Sequence, residues 1–248
     1  MGEIATTTAG QARDAAPVAA PTADELDALN APLLGAGPEA ILRWAADRFG
    51  PRLTLACSFG GVTGMALLDM AAKATPDVRV FYLDTGFLFP ETLTTRDAAV
   101  RRYGVTALGF RAKRTPVEQA AEHGDRLWET DPDLCCALRK VEPNRRALAG
   151  MDAWVAGLRR DQSRTRAAVR PVQWDAQFGL FKIAPLYDWT EDDVWEYVAK
   201  NSVPVNELHA RGYASIGCTH CTRAVGEGED LRAGRWSGTG KTECGLHK

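Results

Sequence analysis

Apolar positions along the chain follow two rhythms. Short apolar runs at Arg52–Cys57 (RLTLAC), Val78–Leu83 (VRVFYL), Val105–Phe110 and Ala153–Leu158 (AWVAGL) read as strands. Between them, apolar residues recur at helical spacing. Ile41, Leu42, Ala45 and Phe49 follow Pro38, which suits a first helical turn, and MALLDMAAKA (65–74) and Pro90 to Tyr103 predict two further helices. Strands alternating with helices predict an α/β fold with a parallel sheet covered on both faces, whose ligands bind beyond the carboxyl ends of the strands. After residue 185 the pattern changes. Thr190 is the expected N-cap of a helix through Val194, Trp195 and Val198, and from Tyr213 onward the chain is glycine-rich and irregular. Residues 1–23, rich in Ala, Thr and Pro without a periodic apolar face, predict a disordered tail. The organisation expected is a tail (1–23), one α/β domain (24–212) and a C-terminal segment (213–248).

Composition narrows the class. With 30 Lys+Arg against 32 Asp+Glu the formal net charge is -2, which argues against a general nucleic-acid binder. No uncharged apolar stretch approaches the ~18 residues that a membrane span needs. The N-terminus carries no apolar core of a secretory signal, and Glu3 and Asp14 fit poorly with a transit peptide, so a cytoplasmic setting is expected. In that reducing compartment the six cysteines are expected to be ligands or nucleophiles rather than a disulfide framework.

Three groups of residues carry candidate chemistry. Ser58, Phe59, Gly60, Gly61 and the following Val-Thr-Gly lie between a strand and a helix, where glycines aim backbone N–H groups at an anion. The loop lacks the Lys-Ser/Thr ending of a Walker loop, and on its own it reads equally as a plain glycine-rich turn. Leu83-Asp84-Thr85-Gly86 caps the second strand, where an adenine or ribose would meet backbone groups. The second group is the cysteines. Cys135-Cys136 and Cys218-x-x-Cys221 supply four thiolates in two pairs, and the adjacency of the first pair favours a [4Fe–4S] cluster over one tetrahedral zinc. Cys57, on an apolar strand, reads as a buried hydrophobe. The third group is cationic: nine basic residues against three acidic ones between Arg139 and Arg170, with Arg159 and Arg160 directly after a predicted strand. Arg232 and Arg235 would share a face if their segment were helical. Beyond them Cys244 sits among Gly238, Gly240 and Gly245, a flexible setting, with His247 and the arginines expected to supply a field that favours its thiolate.

Together these stretches resemble the assimilatory adenylyl-sulfate (APS) reductases, the iron–sulfur branch of the phosphosulfate reductase family. The resemblance rests on SFGG (58–61), LDTG and FPET (83–86, 89–92), CCALRKVEP (135–143), GLRRDQS (157–163), GCTHCT (217–222), EDLRAGRW (229–236) and KTECGLH (241–247). It implies a PP-loop, Rossmann-like adenine-nucleotide-binding domain with a flexible C-terminal catalytic tail. It further implies a [4Fe–4S] cluster on Cys135, Cys136, Cys218 and Cys221, and Cys244 as nucleophile. Lys140 would link cluster and substrate, and Arg232, Arg235 and His247 would surround the phosphosulfate. Ser58 to Gly61 match the phosphate loop, and Leu83 and Gly157 match backbone contacts to adenine.

The reaction implied is attack of the Cys244 thiolate on the sulfur of adenosine 5′-phosphosulfate. AMP leaves, and an S-sulfocysteine remains for thioredoxin to cleave to sulfite, with the cluster in an electrostatic and structural role. The family implies no nucleic-acid or membrane partner, and leaves a homo-oligomer open. PAPS reduction, or acceptance of both nucleotides, is the alternative, since FLFPET also resembles the cluster-free relatives. RNA thiolation on a similar fold would need an RNA-binding extension. An iron–sulfur sensor would need a readout element and leaves Cys244 without a purpose.

Overall fold

The computed structural model describes residues 18–247, so residues 1–17 of the expected tail lie outside the described residues. Thr22 caps the first helix, α1 (Ala23–Asn30), through a reciprocal capping box with Glu25. It is followed by α2 (Pro38–Phe49), β1 (Leu53–Ala56), α3 (Val62–Ala74), β2 (Arg79–Asp84), α4 (Pro90–Tyr103) and β3 (Ala107–Arg111). Four short helices then succeed one another: α5 (Pro116–His123), α6 (Leu127–Thr130), α7 (Pro132–Cys136) and α8 (Glu142–Ala147). The last elements are β4 (Ala153–Val155), β5 (Val172–Asp175), β6 (Leu180–Ile183) and α9 (Glu191–Asn201). Thr190 caps α9 with a capping box to Asp193. Among the described residues no helix is long and apolar enough to cross a membrane.

The six strands form one sheet in the order β3-β2-β1-β4-β6-β5. All pairings are parallel except the last: β5 and β6 form an antiparallel hairpin, with Trp174 opposite Phe181. The all-parallel expectation is therefore corrected at one edge. Val172–Asp175 (VQWD) and Leu180–Ile183 (LFKI) carry Gln, Asp and Lys among their apolar residues, so neither reads as an apolar run, unlike the equally short first and fourth strands. The first and fourth strands are also shorter than expected. Arg52 belongs to a tight turn and pairs with Asp152, and residues 156–158 leave the sheet after Val155.

From β1 the chain moves to β2 and β3 on one side, then returns to place β4 on the other side of β1. That reversal leaves a crevice beyond the carboxyl ends of β1 and β4, the place where open α/β sheets bind ligands. The core beneath it is apolar: Leu55, Met65, Leu67, Leu68, Met70 and Ile183 are fully buried.

Candidate active site

A cavity of about 290 Å³ occupies this crevice, walled by the segments after β1, β2 and β4, by Lys140 and Asn144, and by the C-terminal segment. The β1–α3 loop forms one wall through Ser58, Gly60 and Gly61. Gly61 caps α3 without a side-chain hydrogen bond, so the orphan N–H groups of the first turn remain available to an anion. A Cβ at Gly60 would lie 3.2 Å from the Ile216 carbonyl, and His209 Nε2 lies 3.0 Å from the Gly60 carbonyl, so the loop is held from behind. Phe59 does not face the cavity. It takes φ +55°, is fully buried and packs edge-on against Tyr82, which corrects its expected place among substrate contacts. Cys57 is 1% exposed, and burial pushes its thiol up to about 12.

Leu83 and Thr85, at the end of β2, line the cavity, as does Gly157 after β4. Gly86 does not; at φ +74° it closes the turn, its N–H donating to Asp84 at 3.1 Å. The two consecutive arginines part company. Arg159 lines the cavity yet is 1% exposed and already paired with Asp161 and Glu191. Arg160 turns away, donating to the Val169 carbonyl at 2.8 Å and stacking over Tyr187, so its expected substrate contact is absent in this conformation.

Lys140, Arg166, Arg232 and Arg235 complete the cationic lining, against the carboxylates of Glu191 and Glu243. Arg232 and Arg235 do not share a helical face; they lie in a glycine-containing turn, and both guanidinium groups gather on Trp236 instead. The Trp236 ring has Arg235 at 4.4 Å, Arg232 at 5.8 Å, Lys241 at 5.9 Å and Lys140 at 6.0 Å, so one indole offsets the mutual repulsion of four cations. Burial disfavours the charge on Lys140, but the thiol groups of Cys218 and Cys244 facing it raise its pKa overall. Buried polar atoms without a partner concentrate at this cavity: Asn144 Nδ2, Trp154 Nε1, Arg159 Nη1, Arg235 Nε, Trp236 Nε1 and His247 Nδ1. Five of these six are donors, enclosed behind the cavity surface.

The C-terminal segment is docked into the cavity. Arg166 donates to Glu243 twice, at 3.0 and 3.1 Å, and Arg232 donates to the same carboxylate at 3.2 Å. Cys244 follows, half-buried and lining the cavity, then Gly245 at φ +85° turns the chain so that His247 reaches Trp154. Burial, then Lys182, Arg166 and Arg232, hold the His247 imidazole well below its ordinary pKa. His247 is therefore neutral near pH 7 and cannot be a source of positive field at Cys244; Lys140 and the arginines carry that charge.

Cys135 and Cys136 end α7, and the helix continues through a π turn at Ala137–Val141 that carries Lys140. The wider turn changes the direction of the side chains that follow and is a feature common at functional sites. Opposite, Cys218 precedes a single 3₁₀ turn that Cys221 ends. Thr219 N–H donates to the Phe87 carbonyl at 2.9 Å, and the Cys218 thiol lies 3.4 Å from Thr85 Oγ1, which ties this turn to the end of β2. Burial, then the neighbouring cysteines, push Cys135 up to about 11 and Cys221 up to about 12. All six cysteines are free thiols. Among the described residues no three His, Cys, Asp or Glu side chains are arranged around one metal ion. The four thiols are thus close enough to oppose one another's ionisation, and an all-sulfur donor set of this kind is chemically suited to an iron–sulfur centre or zinc.

Residues 52–224 match the phosphoadenosine phosphosulfate reductase domain. The chain belongs to that family. It is 49% identical to an adenosine 5′-phosphosulfate reductase of Halalkalibacterium halodurans over 84% of this chain and 90% of the relative. It is 50% identical to the enzyme of that name from Streptomyces coelicolor, over 84% of this chain and 86% of the relative. A solved phosphoadenylyl-sulfate (PAPS) reductase from Candida auris, in a phosphate complex, superimposes with a TM-score of 0.74 at 35% identity, covering 84% of this chain and 99% of that one. The fold is the α/β fold of that solved reductase, built on a mostly parallel six-stranded sheet. Among the cavity and tail residues, Asn144, Trp154 and Arg166 lie outside the matched motifs, while Trp236, Lys241 and Glu243 lie inside them with no role expected. Arg166 was visible only as one member of the basic run, and no local signal marks Trp154, whose neighbours on β4 are ordinary core residues.

Proposed function

We propose that this chain reduces adenosine 5′-phosphosulfate to sulfite and AMP, with Cys244 as the nucleophile and thioredoxin as reductant, in the cytoplasmic assimilation of sulfate. The observation that carries the reading is Cys244 held inside a cavity that Lys140, Arg166, Arg232 and Arg235 also line. The names of the two curated relatives favour the unphosphorylated nucleotide; the solved yeast neighbour keeps PAPS as the second reading.

The Cys244 thiolate attacks the sulfur of the sulfonyl group. A sulfur–sulfur bond forms, the sulfur–oxygen bond to the phosphate breaks, and AMP departs with the electron pair. Two like-charged groups must meet in that step, and the leaving phosphate gains charge. Lys140, Arg232 and Arg235, already in place around Trp236, oppose both costs without reorganising. The first turn of α3 and the Gly60-Gly61 backbone offer N–H groups to the 5′-phosphate, and Leu83 and Gly157 border the base. The docked tail excludes water from the sulfonyl group until transfer. The tail then opens and a thioredoxin thiolate attacks Cys244 Sγ. Sulfite leaves with the sulfur–sulfur bonding pair, and a second thioredoxin thiol resolves the mixed disulfide.

Cys135, Cys136, Cys218 and Cys221 would hold a [4Fe–4S] cluster, which would supply a fixed electrostatic centre beside Lys140. The test is intact mass after mixing the iron-loaded protein with adenosine 5′-phosphosulfate in the absence of reductant. An added SO₃ group on Cys244, absent in Cys244→Ser, is expected. An unmodified wild-type protein that nevertheless releases AMP would overturn the covalent route.

A further inference from the structure

Trp154 occupies the centre of the sheet, and its register on β4 sets it beside Lys182 of β6. Lys182 is 5% exposed, an unusual fate for a lysine. Its ammonium lies 2.7 Å from the equally buried Asp175 carboxylate and 5.2 Å from the centre of the Trp154 indole. That indole is 1% exposed, yet its Nε1 has no partner. The His247 imidazole stacks on it with the ring centres 5.4 Å apart and the planes within 14°. His247 Nδ1 is likewise enclosed and unpartnered, so the contact is one of ring faces, with no hydrogen bond to account for it.

This stack is the second of two ties that bracket Cys244. One residue earlier, Glu243 is clamped by Arg166 and Arg232; three residues later, His247 lies on Trp154. At ~3.5 Å of chain per residue, fixing both ends leaves Cys244 only a few ångströms of travel. With the Glu243 tie alone, the chain beyond it could swing about Gly245.

We propose that Trp154, backed by the Lys182–Asp175 pair, is the docking site for the His247 ring, and that these residues position Cys244 for its attack. The proposal rests on the reading of Cys244 as nucleophile. It explains why a charged pair is buried under the floor of the site: the Lys182 cation strengthens its hold on the indole face while disfavouring a protonated imidazole there, so the site accepts an uncharged ring. His247 then acts as an aromatic anchor, and its ring nitrogens are not required for that role.

The test uses the full iron-loaded chain and reads iodoacetamide modification of Cys244, by mass of the tail peptide, in the absence of nucleotide. His247→Ala is expected to speed modification roughly 2- to 10-fold, the population shift that loss of one aromatic stack produces. His247→Phe, which keeps a ring and discards the nitrogens, is expected to restore the native rate, and Trp154→Leu to match His247→Ala. Should His247→Phe react as fast as His247→Ala, or His247→Ala react at the native rate, the anchor is refuted. Should Trp154→Leu fold but protect Cys244 fully, the docking site lies elsewhere; should it fail to fold, the two His247 variants decide. The SO₃ adduct on Cys244 in the native protein is scored separately: its absence defeats the nucleophile reading and leaves the alkylation series to judge the docking contact.

Discussion

Glu243→Gln is the sharpest probe of the docked tail. The carboxylate is 14% exposed, and its partners Arg166 and Arg232 are 11% and 19% exposed, so the cluster is screened but not dry. At an effective dielectric constant of ~20, each ion pair at 4 Å has a gross Coulomb energy of about 4 kcal/mol. Desolvation offsets much of this, while removing one partner of a fully buried pair costs about 3–5 kcal/mol because charge is left uncompensated. The glutamine keeps one acceptor oxygen, and the arginines retain some access to water, so a net loss of about 2 kcal/mol is expected. That corresponds to a rise of roughly 30-fold in the open fraction of the tail. The assay is iodoacetamide modification of Cys244 without nucleotide, fitted across pH to its thiolate-limited rate so that the lost negative charge next to Cys244 does not masquerade as opening. The melting temperature is expected to stay near the native value, since Glu243 touches only the tail and two cavity arginines. An unchanged limiting rate would show that the ion pair does not hold the tail, and the bracketing of Cys244 would be wrong.

Two further outcomes follow from the same site. Lys140→Met removes one of the cations around Trp236. Single-turnover formation of the Cys244 adduct is expected to slow by roughly 10²- to 10³-fold, the usual cost of losing one preorganised stabiliser, with iron content retained; adduct formation at the native rate would refute its electrostatic role. The pH dependence of docking is set by His247, which faces Lys182 on β6, Arg166 in the turn before β5 and Arg232 in the C-terminal segment, with Glu243 nearby on its own segment. Its pKa is depressed in the docked state, so the released tail binds more protons below about pH 6.5, and docking weakens as pH falls through that value. Trypsin cleavage after Lys241 is expected to accelerate on that acid side in the native protein and to lose this dependence in His247→Phe; an acid-insensitive native rate would contradict the assignment.

Much of the fold was legible in the sequence because its signals are local. Pro38 and Pro90 begin helices that run as their apolar spacing predicts, Thr190 caps α9, and the runs at β1, β2 and β3 are apolar enough to declare strands. The motifs also brought the right chain segments to one crevice, since a strand's carboxyl end can be read wherever the strand is read. Where side chains point is another matter. Arg159 and Arg160 are adjacent and chemically alike, yet one enters the cavity wall and the other stacks on Tyr187, because Arg159 is extended while Arg160 opens a 3₁₀ turn that carries its side chain in another direction. Phe59 is hidden by a positive φ that no local pattern announces.

The α/β alternation, the cysteine pairs and the Cys244 thiol among glycines are legible along the chain, because each is a property of neighbouring residues. The gathering of four cations on Trp236, the uncharged His247 and the bracketing of Cys244 by Glu243 and Trp154 arise from folding. Those outcomes depend on burial and on charges brought together from distant segments, and neither quantity exists until the sheet has formed.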